Sequence, residues 1–236
     1  MISAYITNLG KYNEGELCGE YLKLPAETQD VQALLARIGI DGVLYEEIFI
    51  TDYETDIDDL CKYLGEYENV DELNYLAALL EDVPTWELDK FEAAIAHGEH
   101  TSSVKDLINL TQNLDHYHYY SDISDEEDLG RYFIEELSAL EVPEHLEYYF
   151  DYNAYGRDIY NNSNGIFANG GFIESEHSGF IEHYCGRDDL PEEYKIFAYP
   201  APPNKMPIKQ QLEMYAIMTT APTVTDKQLL TRDERC

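Results

Sequence analysis

Basic residues are scarce in this chain: 15 Lys and Arg stand against 48 Asp and Glu, a formal net charge of -33. That shortage argues against direct nucleic-acid binding, which needs a positive surface to neutralise phosphates. Long apolar runs are also lacking, and none approaches the ~20 residues of a membrane span. The opening MISAYITNLGKYNEG has neither the basic segment nor the apolar run of a secretory signal. The expected setting is therefore the cytoplasm, with no membrane partner. Cysteine is sparse, and Cys18, Cys61, Cys185 and Cys236 form no CxxC pair. Without the short spacing of zinc sites they read as free thiols. No Walker loop, GxSxG or GxGxxG occurs, so the common phosphate-cradle and nucleophile signatures are missing.

What the chain has is acid and aromatic rings. Its 21 Tyr and 8 Phe, with 44% hydrophobic residues in regular periodicity, exclude an acidic disordered chain, which would be poor in aromatics. The acid is unevenly placed. Residues 1–184 carry 40 acidic and 8 basic side chains, whereas residues 185–236 carry 8 and 7. General solubility adaptation would have spread acid over the whole length, and it has not. An excess of 32 negative charges matches roughly 54 Å of duplex DNA at about one charge per 1.7 Å. Substitution for a polyanion fits that distribution, although charge alone does not separate a mimic from another kind of acidic protein.

The periodicity predicts an α+β fold. Residues 2–7, 16–24 and 46–52 are rich in Ile, Leu, Tyr and Phe and read as short strands, separated by turn formers that include Asn8, Gly10, Asn13 and Gly15. Between the second and third, Val31, Leu34, Leu35 and Ile38 mark a helix, with Gly39 just past its end. Residues 1–70 thus form a three-stranded sheet with one helix. Residues 71–113 read as a small bundle of three helices, around Leu73 to Leu80, Leu88 to Ile95 and Val104 to Ile108. Residues 114–184 read as a second α+β part: a helix over 125–138, another opened by Pro143 and spanning HLEYYFDYNAYGRD, and a Gly-rich hairpin after it. Residues 185–236 are a neutral, proline-containing extension, with an amphipathic helix expected over 208–218 and dispensability for the function of the acidic part.

Acid is densest after the third strand. The candidate partner-binding surface is Glu46, Glu47, Asp52, Glu54, Asp56, Asp58, Asp59, Glu66, Glu68, Asp71 and Glu72. On an extended stretch, Asp52, Glu54, Asp56 and Asp58 would share one face at intervals of about 6.6 Å. That is close to two base-pair rises, a phosphate-like ladder. A solvated loop or helix face is the plainer reading of the same run. Catalysis has little support. Glu46 and Glu47 form a carboxylate pair of no specificity in so acidic a chain, and His116 and His118 lack a third ligand at a recognisable spacing. A calcium loop starting at Asp125 fails because Leu129 occupies a position that needs an oxygen ligand. No enzyme activity, cofactor or metal is expected.

Two blocks then carry a family resemblance. The opening Tyr5-Ile6-Thr7-Asn8-Leu9-Gly10-Lys11-Tyr12-Asn13-Glu14-Gly15-Glu16-Leu17 and the later Tyr149-Phe150-Asp151-Tyr152-Asn153-Ala154-Tyr155-Gly156-Arg157-Asp158 resemble the two most recognisable stretches of ArdA antirestriction proteins. The similarity covers about residues 1–184. It implies an elongated three-part α+β protein, a DNA mimic that forms homodimers through its third part. It also implies that the mimic occupies the DNA groove of type I restriction-modification enzymes, chiefly at the methyltransferase core. By that resemblance Tyr149, Asp151, Tyr152, Tyr155, Gly156, Arg157 and Asp158 form the antirestriction motif, the last four near the dimer contact. Locally, the same residues also read as a helix ended by Gly156, with Arg157 paired to a nearby carboxylate. A mimic directed at a nucleoid protein or a repressor is the alternative that the charge leaves open.

Overall fold

The computed structural model describes residues 1–176, 179–201, 209 and 212; the amphipathic helix expected over 208–218 therefore falls almost wholly outside the described residues. The chain is α+β and divides into two compact units, residues 1–82, 102–108 and 184–236, and residues 83–101 and 109–183.

The first unit is built on an antiparallel sheet in the order β2-β1-β3, with β1 Ile2–Asn8, β2 Gly19–Leu24 and β3 Ile48–Thr55. Ile2, Ala4 and Ile6 alternate onto the inner face of the central strand, beside Leu22 and Leu24 of β2. Helix α2, Thr28–Arg37, brings Val31, Leu34 and Leu35 to the core and closes at Gly39, whose φ of 80° suits glycine. The turn expected around Asn8 to Gly15 is instead one short helix, α1, Leu9–Asn13. Its cap explains the difference. Asn8 Oδ1 accepts from Lys11 N at 3.0 Å, while Asn8 Nδ2 donates to Ile38 O at 3.1 Å, tying the end of β1 to the end of α2. Helix α3, Val70–Asp82, presents Leu73, Leu76 and Leu80 to the core, and its buried Asn74 accepts from Ala26 N at 2.8 Å.

The second unit holds the antiparallel sheet β4-β6-β5, with β4 Tyr117–Ser121, β5 Ile166–Ala168 and β6 Gly171–Ser175. Strands β5 and β6 are the expected hairpin, joined through Asn169 and Gly170, whose φ values of 50° and 72° suit a two-residue turn. Phe172 and Ile173 point to opposite faces of β6, yet both are fully buried. One face carries Ile123, Leu129 and Phe172 packed with α6, Glu126–Glu135, and α7, Tyr152–Asn162. Helix α4, Thr85–His97, packs on this same sheet. Helices α3 and α4 thus lie in different units, and α5, Val104–Thr111, spans the boundary between them.

The single helix expected from Pro143 through HLEYYFDYNAYGRD is two elements. A 3-10 turn over Glu144–Tyr149 ends in extended backbone at Phe150, and Asp151 then opens α7 by accepting from Ala154 N at 2.9 Å. A second side-chain cap at this point is why the chain restarts there. Gly156 does not end the helix either; α7 runs on to Asn162. The expectation of four free thiols also needs correction. Cys18 is a free thiol, but Cys61 is disulfide-bonded.

Candidate functional site

The acidic surface after β3 depends on a bulge. Tyr5 pairs with Asp52 but Ile6 pairs with Ile50, so Thr51 is an extra residue. Because side chains alternate with period two, a regular strand would put Asp52 and Glu54 on the same side as the core residue Ile50. The added residue reverses the phase. Tyr53 turns inward, donating its hydroxyl to Gly65 O at 2.7 Å, and Asp52 becomes exposed. Burial pushes the Tyr53 phenol far above the usual tyrosine range, with Glu68 adding to the effect.

The strand ends at Thr55, so the uniform four-carboxylate ladder does not form as extended chain. Alternation nevertheless continues: Asp56 and Asp58 are exposed on either side of buried Ile57. Asp52 accepts from Tyr21 OH at 2.6 Å, Asp56 pairs with the amino terminus, and Asp59 pairs with Lys62. Glu54 is half-buried, Glu46, Glu47 and Glu66 are exposed, and Glu68 accepts from Gly65 N at 3.1 Å.

Asp71 and Glu72 do something else. One Asp71 oxygen accepts from Ile196 N at 2.8 Å and Phe197 N at 2.7 Å. Buried Glu72 accepts from Tyr184 OH and Arg187 Nε, each at 2.9 Å. Together they fasten the segment from Tyr184 to Tyr199 onto the first unit, where Leu190 and Ile196 are buried. Tyr199 completes the strap by donating to Glu46 O at 3.0 Å and covering Gly42. The beginning of the neutral extension is therefore part of the fold. Its charge balance suggested otherwise, but neutrality and burial go together.

The loop before β3 is held by one carboxylate. Asp41 Oδ1 accepts from the backbone N–H groups of Val43, Leu44 and Tyr45 at 2.9, 2.8 and 3.1 Å. Desolvation raises its pKa, but those donors outweigh it and the net shift is downward. Val43 and Leu44 are left exposed beside Glu46 and Glu47.

In the later block, Tyr152 is buried under the Arg131 guanidinium, 4.3 Å from its ring centre, and Arg131 in turn pairs with Glu127 and Glu135 of α6. Gly156 is at the crossing of α6 and α7: a Cβ there would lie 1.7 Å from Glu126 O, and one on Gly130 would lie 2.1 Å from Tyr152 O. Tyr155 is half-buried, while Tyr149, Asp151, Arg157 and Asp158 are exposed. Arg157 is exposed, and no carboxylate pairs with it among the described residues.

Sequence spacing missed one cluster. His118 points outward and meets Glu176 at 3.1 Å, whereas buried His116 gathers with Glu99 and His100. Burial, followed by the nearby His100, holds the His116 pKa below the usual histidine value. Helix α4 ends at Gly98 and so delivers Glu99 and His100 to the start of β4, a juxtaposition with no local spacing to reveal it.

These features define an acidic α+β protein whose helix-crossing glycine and helix caps sit inside its two distinctive blocks. The family model of the antirestriction protein ArdA matches residues 4–174. The chain belongs to the ArdA family of antirestriction proteins. Among curated proteins, none matches it.

Proposed function

We propose that this protein inhibits type I restriction-modification enzymes without chemistry, by laying its acidic surface into the DNA groove of the methyltransferase core. The observation that carries the reading is the acidic run along the end of β3 and beyond it, where Asp52, Asp56 and Asp58 face solvent around buried Tyr53 and Ile57. Glu46, Glu47, Glu54, Asp59, Glu66 and Glu68 extend the surface, while Asp71 and Glu72 belong to the fold. Family membership supplies the class of target. A groove built to hold phosphates attracts such a surface through its field, giving association that weakens with salt.

The protein acts as a cytoplasmic homodimer in this reading. Support for the contact is the exposure of Leu146, Tyr148 and Tyr149, apolar side chains at the start of the block whose Arg157 and Asp158 are also exposed. The test is competition between labelled DNA and this protein for a purified methyltransferase core. Displacement of DNA at low salt is expected, and failure to displace it would refute the proposal. A pull-down that instead recovered a nucleoid protein or a repressor would redirect the mimicry to that target.

A further inference from the structure

The geometry points to a divalent transition-metal site formed by Glu99, His100 and His116 in the second unit. Their ligand atoms all lie within 4.8 Å of one another. Donors each ~2.0–2.2 Å from a tetrahedral Zn²⁺ stand roughly 3.3–3.6 Å apart, so closing on an ion needs about 1 Å of side-chain movement. Two imidazoles and one carboxylate are a donor set for Zn²⁺, Co²⁺ or Ni²⁺ rather than for Mg²⁺ or Ca²⁺, which take oxygen.

A second observation is independent of the clustering. Buried His116 has an Nδ1 without a hydrogen-bond partner, and a native fold rarely leaves such an atom unmatched. That nitrogen lies 3.8 Å from where a Cβ on Gly179 would sit, on the wall of a cavity of about 630 Å³ that Glu99, His100 and Glu176 also line. His97 Nδ1, 4.0 Å from a Glu99 oxygen, is likewise buried and unmatched. The His100 ring is held by Phe180, stacked at 3.5 Å between ring centres. The three protein ligands leave a fourth position open toward the cavity. A bound ion would join the end of α4 to the start of β4, and this role is separate from the restriction-enzyme reading.

The experiment is a Zn²⁺ titration of the full chain, stripped with chelator, in millimolar Mg²⁺ to occupy the many oxygen-only sites of so acidic a surface. Co²⁺ is the spectroscopic probe. One Zn²⁺ per chain is expected to outcompete the Mg²⁺, and Co²⁺ to give the visible absorption of an imidazole-ligated ion. Exposed Glu99→Gln and His100→Gln retain the fold and weaken Zn²⁺ binding by more than the roughly 10- to 100-fold that loss of an outer-shell partner costs. His118→Gln, which removes the histidine outside the cluster, leaves binding unchanged. The proposal is overturned if His100→Gln binds Zn²⁺ as tightly as the parent, if His118→Gln loses as much, or if Co²⁺ gives no such band.

Discussion

Replacing Gly156 by alanine isolates the physical reason for a glycine within the second family block. In an exposed helix interior this change would stabilise by up to ~1 kcal/mol through helix propensity. Here the new methyl carbon would fall 1.7 Å from Glu126 O and 2.7 Å from Gly130 N. Those atoms are helix backbone and cannot swing aside as a side chain would. Helices α6 and α7 must separate by roughly 1.5 Å, since non-bonded atoms settle at ~3.5 Å and even a 0.5–1 Å gap forfeits a quarter to a half of each contact. Overpacking of this kind costs ~1–3 kcal/mol, and a backbone obstacle belongs at the upper end. Set against the propensity gain, the net loss expected is ~2 kcal/mol. Urea denaturation measures it, with hydrogen exchange of the α7 amides locating the effect in the second unit. Asn153→Ala, on the exposed side of α7, serves as the control and should stay within about 0.5 kcal/mol of the parent. Gly130→Ala opens the same crossing, so the double variant should lose less than the sum of the singles, by about 1 kcal/mol. A Gly156→Ala protein as stable as its parent would refute the reasoning.

Three further outcomes follow from the fold. Truncation after Tyr184 removes buried Leu190 and Ile196, at ~1.5–3 kcal/mol each, and should lower the urea midpoint accordingly. Asn8→Ala loses both a helix cap, worth about 0.5–2 kcal/mol, and the donor to Ile38 O; Asn8→Asp keeps the cap and should recover part of that loss in the same assay. Asp41 has a depressed folded pKa, so its contribution is present above the usual carboxylate range and disappears as pH falls through the lowered value. An acid-unfolding series should therefore show Asp41→Asn lacking that part of the pH dependence, and an unchanged profile would contradict it.

Much of the fold was legible because local patterns carried it. The spacing of Val31, Leu34, Leu35 and Ile38 marked α2, and the Gly-rich run after α7 marked the hairpin of β5 and β6. What escaped the sequence was set by contacts between distant segments. The Thr51 bulge shows only in the strand register, and it decides which acids face outward. Asp71 and Glu72 have the local pattern of surface charge, and only the distant segment from Tyr184 to Tyr199 gives them a structural role. Glycine usually marks a helix end, whereas Gly156 permits two backbones to touch. Glu99 and His100 lie 16 or more residues before His116, and only the turn after α4 unites them.

The central claim is that the carboxylates on the outer side of β3 and just after it stand in for DNA phosphates. Its most direct measurement is the salt dependence of binding to a methyltransferase core for the parent and for Asp52→Asn, Glu54→Gln, Asp58→Asn and Glu66→Gln combined. The combined variant should bind at least about tenfold more weakly at low salt, with a shallower dependence on salt concentration, because fewer charge contacts are formed on binding. An unchanged affinity and an unchanged slope, in a variant that remains folded, would contradict the account.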